Sequence, residues 1–280
     1  MHSSNDEPHE DVPAQNFSVR DYARTAVGSH RASMDFTGFA DSPLSPSTLR
    51  ALRYVAAIES DTMGHLRNVL VTATHKDARV TAFLGTWAFE KFWIADALQH
   101  VLDAHPGVAL PQPKRPFPLV ALGRELRERA RPITGSIRAN KLGEDMIAVH
   151  MTLGTIDEWL TEAALTRILE LDPNESLRAV VDTIIGVKAR QLEFFEAQAR
   201  DRLAVGETTR TVVQKQLRAA QWPVGAAGEA KSETRFFFSY LFAAAPDTVA
   251  ALDAKISTLP GQEGLSLIKR AVAAHHGVRS

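Results

Sequence analysis

The chain has 280 residues, of which 45% are hydrophobic, and it carries a formal net charge of −1. This composition is ample for a large buried core, and the balanced charge excludes the basic field typical of nucleic-acid-binding proteins. The chain has no cysteine, which excludes disulfides, thiolate metal ligands, thiol nucleophiles and iron–sulfur clusters.

The N-terminal segment, residues 1–44, is expected to precede the main domain and to be disordered over about its first 20 residues. It begins with polar and acidic residues and lacks the apolar stretch of a signal peptide. No apolar run in the chain reaches membrane-spanning length. These features predict a cytoplasmic protein that contacts neither a membrane nor nucleic acid.

Helical periodicity recurs from residue 45 to residue 205, while strand signals are scarce. Ser45-Pro46 is typical of a helix start, because a serine cap precedes proline at the first helical position. Asp77 can cap the next helix, and Asp172-Pro173 separates the last two. A proline-rich connector with a short bridging helix, at about 119–130, joins the two halves. We therefore expect four long helices, at about 46–75, 78–105, 144–171 and 174–203.

Residues 206–280 predict a helical C-terminal appendage, with a first helix over about 207–220. Turns are expected at Trp222-Pro223-Val224-Gly225 and at Leu259-Pro260-Gly261. Between them lies a dense aromatic run, Phe236-Phe237-Phe238-Ser239-Tyr240-Leu241-Phe242. Such a run is typical of a buried packing helix and, less commonly, of a homodimer surface.

Each pair of long helices places one glutamate and one lysine on its inner face near mid-helix. Glu59 and Lys91 lie 32 residues apart, and Glu158 and Lys188 lie 30 residues apart. An isolated charge in an apolar core costs several kcal/mol. We therefore expect Glu59–Lys91 and Glu158–Lys188 ion pairs, or one network of all four residues.

Over about residues 35–270 the chain resembles ferritin-like proteins of the acyl-carrier-protein desaturase type, in their actinobacterial branch. The matching stretches are Ile58-Glu59-Ser60, Asp77-Ala78-Arg79-Val80-Thr81-Ala82-Phe83-Leu84, Trp87-Ala88-Phe89-Glu90, Ala148-Val149-His150-Met151-Thr152, Ile156-Asp157-Glu158-Trp159 and the two turns of the appendage. The resemblance implies an all-α fold, in which residues 45–205 form an antiparallel four-helix bundle and residues 206–280 pack on it.

The resemblance also implies a di-iron site, to which two helices each give one glutamate and two helices each give Glu-x-x-His. Glu59 and Glu158 match the lone glutamates. The four remaining ligand positions are occupied by Lys91, Ile94, Lys188 and Gln191. No histidine in the chain follows a glutamate by three positions, so Glu-x-x-His is absent. The expected site is therefore degenerate, without a metal or other cofactor, and di-iron oxygen chemistry is not expected.

With this site, the resemblance implies a cofactor-independent enzyme for an apolar acyl or polyketide-like substrate, free or tethered to a carrier. The reaction would be non-redox: proton transfer, dehydration, isomerisation or cyclisation. Burial is expected to lower a lysine pKa and to raise a glutamate pKa toward neutrality. The predicted catalytic residues are Lys91, Lys188, Glu59 and Glu158. The predicted pocket residues are Ile94, Gln191, Thr62, Met151, Thr155 and Thr161.

Two other functions stay open. One is a pseudoenzyme that binds a ligand or an active ferritin-like partner, with salt bridges that only fix helix register. The other is residual metal binding through Glu59 and Glu158. A closed, dry core around the four charges favours the pseudoenzyme. A pocket that reaches Lys91 or Lys188 from the surface favours the enzyme.

Three further expectations concern polar residues near the cluster. Glu90 is rotated about 100° around its helix from Lys91, so it is expected to face a neighbouring helix or solvent. Threonines on inner faces are expected to bond their own helix backbone. His65 and His150 lie about 9 and 12 Å along the helix axis from the two glutamates, too far to share a metal with them.

Overall fold

The computed structural model describes residues 17–32, 34–108 and 143–276. Regular structure in this part of the chain is helical throughout, which confirms the all-α prediction. The helices are α1 (Val19–Arg24), α2 (Pro46–Ser60), α3 (Thr62–Leu70), α4 (Ala78–Asp103), α5 (Asp145–Leu171), α6 (Glu175–Ala204), α7 (Glu207–Ala219), α8 (Lys231–Phe242), α9 (Pro246–Ser257) and α10 (Leu267–His276). None of the described helices combines the length and the apolar character needed to cross a membrane.

Side-chain caps fix the starts of three of the long helices. Ser45 Oγ accepts a hydrogen bond from the amide of Thr48 at 3.2 Å, and Asp77 Oδ1 accepts one from Val80 at 2.9 Å. Asn174 Oδ1 accepts one from the amide of Leu177 at 2.9 Å. Each cap satisfies an amide that has no partner within the helix, so these helices begin where the sequence predicts.

The first long helix is shorter than predicted. Instead of running to residue 75 it ends at Ser60, and α3 begins after Asp61. Thr62 Oγ1 donates a hydrogen bond to the carbonyl of Glu59 at 2.5 Å. A threonine side chain that bonds a backbone carbonyl competes with the helix backbone, and this bond lies at the break. Glu59 consequently lies at the end of α2.

Some predictions fall outside the described residues. They are the bridging helix at about 119–130 and the disorder of residues 1–16. Residues 19 and 20, which were expected to be disordered, instead open α1. Ser18 caps this helix, because its Oγ accepts a hydrogen bond from the amide of Asp21 at 3.1 Å.

The long helices pack most extensively in two pairs, α2 with α4 and α5 with α6. The second pair is antiparallel, because only residues 172–174 connect its members. Sparser contacts join α2 to α5 and α4 to α6. One hydrophobic cluster includes a fully buried residue from each of the four helices, namely Leu52, Leu98, Leu165 and Ile184. The four helices therefore share an interior.

The aromatic run of the appendage packs inward, as predicted for a packing helix. Phe237, Phe238 and Phe242 on α8 are at most 2% exposed and belong to the main core cluster. Tyr54 Oη of α2 donates a hydrogen bond to Thr234 Oγ1 of α8 at 2.9 Å, which ties the appendage to the first long helix. Exposed aromatic side chains lie instead on the outer face of α4, where Phe92 is 60% exposed.

Gly154 allows α5 and α6 to approach each other. A β-carbon at this position would lie 2.5 Å from two carbons of the Phe195 ring. Gly154→Ala is therefore expected to lower the free energy of unfolding by about 1–3 kcal/mol. Gly186→Ala is the matched control on α6, because a β-carbon there meets nothing within 4 Å. The control should stabilise by about 0.5–1 kcal/mol through helix propensity. Urea denaturation measures both, and equal changes in the two variants would contradict the close packing of Phe195.

A buried lysine and glutamate network as the candidate functional site

Four buried side chains, one from each long helix, form a continuous series of ion pairs. Lys188 Nζ lies 2.9 Å from Glu59 Oε1 and 2.7 Å from Glu158 Oε2. Lys91 Nζ lies 3.3 Å from Glu59 Oε2. None of these four side chains is more than 5% exposed. Both predicted ion pairs are present, and the Glu59–Lys188 contact joins them into one network.

Trp87 closes the network into a ring. Its Nε1 donates to Glu158 Oε1 at 3.4 Å, and Lys91 Nζ lies 4.8 Å from the centroid of its indole. Trp87 and Lys91 are one turn apart on α4, so both side chains face the same interior. An ammonium over an indole face gains a cation–π attraction that is larger where water is excluded.

The network keeps Lys188 and Glu59 charged. Burial by itself lowers the pKa of Lys188, but the carboxylates of Glu158 and Glu59 outweigh it and raise the pKa above its ordinary value. Burial likewise raises the pKa of Glu59, but Lys188 and Lys91 outweigh it and lower the pKa below its ordinary value. The expected shift toward neutrality is therefore wrong for both residues, because an opposite charge outweighs desolvation.

This donor set does not fit the di-iron centre that the resemblance implies. Glu59 and Glu158 are already paired with ammonium groups, and Ile94 and Gln191 stand where histidines are expected. An ammonium between two carboxylates also repels a cation. Across the described ranges, no group of three or more histidine, aspartate or glutamate side chains is arranged to hold a metal ion.

A small cavity adjoins the network on the side of Lys91. Its volume is about 30 Å³, and its lining includes Thr62, Trp87, Lys91, Asp157 and Val224. This volume accommodates about two water molecules. An acyl chain does not fit beside the four charges within this cavity.

Asp157 is a polar residue at this cavity to which sequence reasoning gave no role. It is 7% exposed, and its Oδ1 accepts a hydrogen bond from the amide of Val224 at 2.7 Å. Burial raises the pKa of Asp157 to about 7 against the opposing effect of Lys91, and the neighbouring Glu158 adds to the rise. A carboxyl that titrates near neutrality can both donate and accept a proton.

Glu90 forms a second buried polar centre and faces neighbouring helices, one of its two expected orientations. Its Oε2 accepts hydrogen bonds from Tyr22 Oη at 2.5 Å and from Gln191 Nε2 at 3.0 Å, and its Oε1 accepts one from the amide of Val27 at 3.0 Å. Burial, together with the Glu90 carboxylate, raises the pKa of the Tyr22 hydroxyl above its ordinary value. This carboxylate therefore attaches the N-terminal segment to α4 and α6.

The three predicted pocket threonines lie on inner helix faces, but two of them do not line the cavity. Thr62 lines it beside Lys91. Thr155 Oγ1 donates to the carbonyl of Met151 at 2.9 Å, and Thr161 is buried on α5 without lining the cavity. The bond of Thr155 to its own helix backbone confirms that expectation, whereas Thr62 bonds to the last turn of the preceding helix.

The other predicted pocket residues also lie away from this cavity. Ile94 belongs to the main hydrophobic core, and Met151 packs in a second cluster that includes Phe194 and Phe195. Gln191 bonds to Glu90 instead. These residues point into the protein as expected, but hydrophobic packing and the Glu90 centre occupy their side chains.

His150 has a local partner rather than a place in the network. Its Nδ1 lies 2.8 Å from Thr74 Oγ1. Burial lowers the pKa of His150 to about 4, so the ring is neutral at neutral pH.

Comparison of the chain with protein-family models, curated proteins and solved structures finds no match.

Substitutions of the two lysines are expected to change the free energy of unfolding unequally, because Lys188 is shared by two glutamates and Lys91 pairs with one. Lys188→Met is expected to lower the free energy of unfolding by about 3–5 kcal/mol, because it removes a partner from both glutamates. Lys91→Met removes one ion pair and one cation–π contact and should cost less, because a single glutamate loses its partner. Adding Glu59→Gln to either variant should recover part of the loss, since the unpaired charge disappears.

Urea unfolding near neutral pH measures these energies. Lys215→Met is the control, because this exposed lysine should contribute less than about 0.5 kcal/mol. Strict additivity of Lys188→Met and Glu59→Gln would contradict the network.

Because the pKa of Asp157 is raised in the folded chain, the free energy of unfolding is expected to decrease as the pH rises. Its pKa is about 7 in the folded chain and about 3.9 in an unfolded one. The folded state therefore binds more protons between these pH values, and its stability falls by up to about 1.4 kcal/mol per pH unit across that window. Asp157→Asn should remove this slope. Urea unfolding of both proteins between about pH 5 and pH 8 tests the sign, and parallel profiles would contradict the shift.

Proposed function

We propose that this chain is a ferritin-like protein of the acyl-carrier-protein desaturase type in which ion pairs replace the di-iron centre. We further propose that it acts by binding a ligand or a protein partner rather than by catalysis. The observation that carries the proposal is the position of Lys188 Nζ, 2.9 Å from Glu59 Oε1 and 2.7 Å from Glu158 Oε2. These are the two carboxylates that the resemblance assigns to metal, and an ammonium group bridges them.

The pairing of the helices supports a four-helix bundle. The pairs α2–α4 and α5–α6 each contribute one glutamate and one lysine to the same interior. In ferritin-like bundles the metal ligands likewise project inward from all four helices. The proposed bundle therefore keeps the ligand-bearing positions of that fold while changing their chemistry.

Two observations weigh against acid–base catalysis by the lysines. The shifted pKa values of Lys188 and Glu59 favour their charged forms, so neither exchanges protons readily near neutrality. The cavity beside Lys91 has a volume of about 30 Å³, too little for an acyl or polyketide-like substrate. A charged core with room for only about two water molecules beside Lys91 favours the pseudoenzyme hypothesis over a substrate pocket.

A second candidate function is proton transfer by Asp157. The observation that favours it is a carboxyl with a pKa near 7 at the edge of the same cavity as Lys91. This candidate places the acid–base group one residue before Glu158 and leaves the lysines a purely electrostatic role. A carboxyl-carbon NMR titration tests it directly, because a measured Asp157 pKa near its ordinary value of about 3.9 would remove the candidate.

Metal binding tests the proposed replacement of the di-iron centre. The natural chain should bind less than stoichiometric iron or cobalt, because its ammonium groups occupy the interior. A variant that combines Lys91→Glu, Ile94→His, Lys188→Glu and Gln191→His restores the six-ligand pattern, and it should bind about two cobalt ions per chain. Visible cobalt absorption and elemental analysis measure both.

The matched control adds Glu59→Gln and Glu158→Gln to the four substitutions and should lose the cobalt spectrum. Circular dichroism establishes that each variant is folded. A folded four-substitution variant that binds no cobalt would contradict the ferritin-like placement of these positions. About two irons per natural chain, lost on substitution of Glu59 and Glu158, would overturn the replacement itself.

A further inference from the structure

A cleft separate from the buried network opens among the C-terminal helices α7, α8 and α10. Its volume is about 590 Å³, within the range of roughly 300–1,000 Å³ that is typical of small-ligand pockets. Its floor is apolar, since Leu217, Trp222 and Leu267 line it and are at most 5% exposed. The cleft therefore combines a suitable size with a lining that is partly apolar and partly polar.

The rim of this cleft is cationic. Arg218, Lys231, Arg235 and Arg270 line it and are exposed, and Glu229 is the carboxylate that accompanies them. Among the residues that the structure describes, no carboxylate lies within 4 Å of these four cationic groups. The whole chain has 32 lysines and arginines against 33 acidic residues, so this excess is local.

One wall of the cleft is a flat ring. The imidazole of His275 stacks on Phe238 with ring centroids 5.2 Å apart and planes 3° from parallel. Burial lowers the pKa of His275, and the nearby Arg235 lowers it further, so the ring is neutral near pH 7. A neutral ring that lines the same cleft as Trp222 offers contact to an apolar body rather than another charge.

The two surfaces select for one chemical class. Guanidinium groups form paired hydrogen bonds with carboxylate and phosphate oxygens. A bare anion would leave the apolar floor uncovered, while a neutral apolar molecule would leave the cationic rim without a partner. We propose that this cleft binds a small amphipathic anion, with its acidic group at the arginine rim and its apolar body on the Trp222 floor.

This proposal stands apart from the replaced di-iron centre. No residue of the cleft belongs to the ion-pair network. Failure of ligand binding would leave the cobalt result unchanged, and the reverse also holds.

Calorimetric titration of the full chain tests the proposal with three matched probes, 2-naphthoate, 2-naphthyl phosphate and the neutral 2-naphthamide. At least one of the two anions should bind saturably at one site per chain, and the amide about tenfold more weakly or not at all. Whichever of the two anions binds with the higher affinity indicates whether the ligand carries a carboxylate or a phosphate. Raising the salt concentration should lower the affinity for the anion and leave the affinity for the amide unchanged.

Two kinds of variant locate the binding site. Arg235→Gln combined with Arg270→Gln should weaken anion binding about tenfold or more. Arg178→Gln, at an exposed arginine of α6, should leave the affinity unchanged. Ala274→Trp places a bulky ring in the cleft at an exposed position and keeps every charge, so it should abolish binding. Circular dichroism and thermal midpoints confirm that the variants are folded.

Three results would overturn the proposal. They are equal affinities for the amide and the anions, undiminished binding by the double arginine variant, and absence of binding by both anions at millimolar concentration.

Discussion

The ammonium group of Lys188 is the constraint on which the interior of this protein depends. It lies between carboxylates from two different helix pairs, Glu59 on α2 and Glu158 on α5. Desolvation offsets much of the attraction in such a buried network, so its net contribution to stability is small. Losing one partner is costly, because a charge then stays buried without compensation. The network therefore adds little to how strongly the helices associate, although the removal of any one partner is costly.

Much of this arrangement could be predicted from local sequence. The bounds of α5 and α6 lie within two residues of their predicted positions, because Asp172-Pro173 and the Asn174 cap leave little freedom there. The ion pairs were predictable because charges on an inner face must find partners. The break after Ser60 was not, since residues 46–75 keep helical periodicity across it. It depends on one side-chain bond, from Thr62 to Glu59, that competes with the helix backbone.

The hydrogen-bond partners of Glu90 and the position of Asp157 at the cavity were not predicted, for a different reason. Each is next in sequence to a predicted site residue. Neighbouring residues on a helix are rotated by about 100° from each other, so on a helix with one buried face the neighbour of an inward residue is expected to point away from the core. The long helices are buried on several faces, so Glu90 and Lys91 are both enclosed. Their partners, such as Tyr22 for Glu90 and Val224 for Asp157, come from remote segments. No periodicity connects such segments, and the tertiary fold is needed to find them.

The segment from Trp222 to Gly225 separates the two polar regions of the protein. Trp222 lines the cationic cleft, while Val224 and Gly225 line the cavity beside Lys91. The amide of Val224 donates to Asp157, and an ionised carboxylate accepts this bond more strongly than a protonated one. One short segment thus contacts both Asp157 and the cationic cleft. Because linkage is reciprocal, an anion that displaces this segment also shifts the Asp157 pKa, whereas an anion that leaves the segment in place does not.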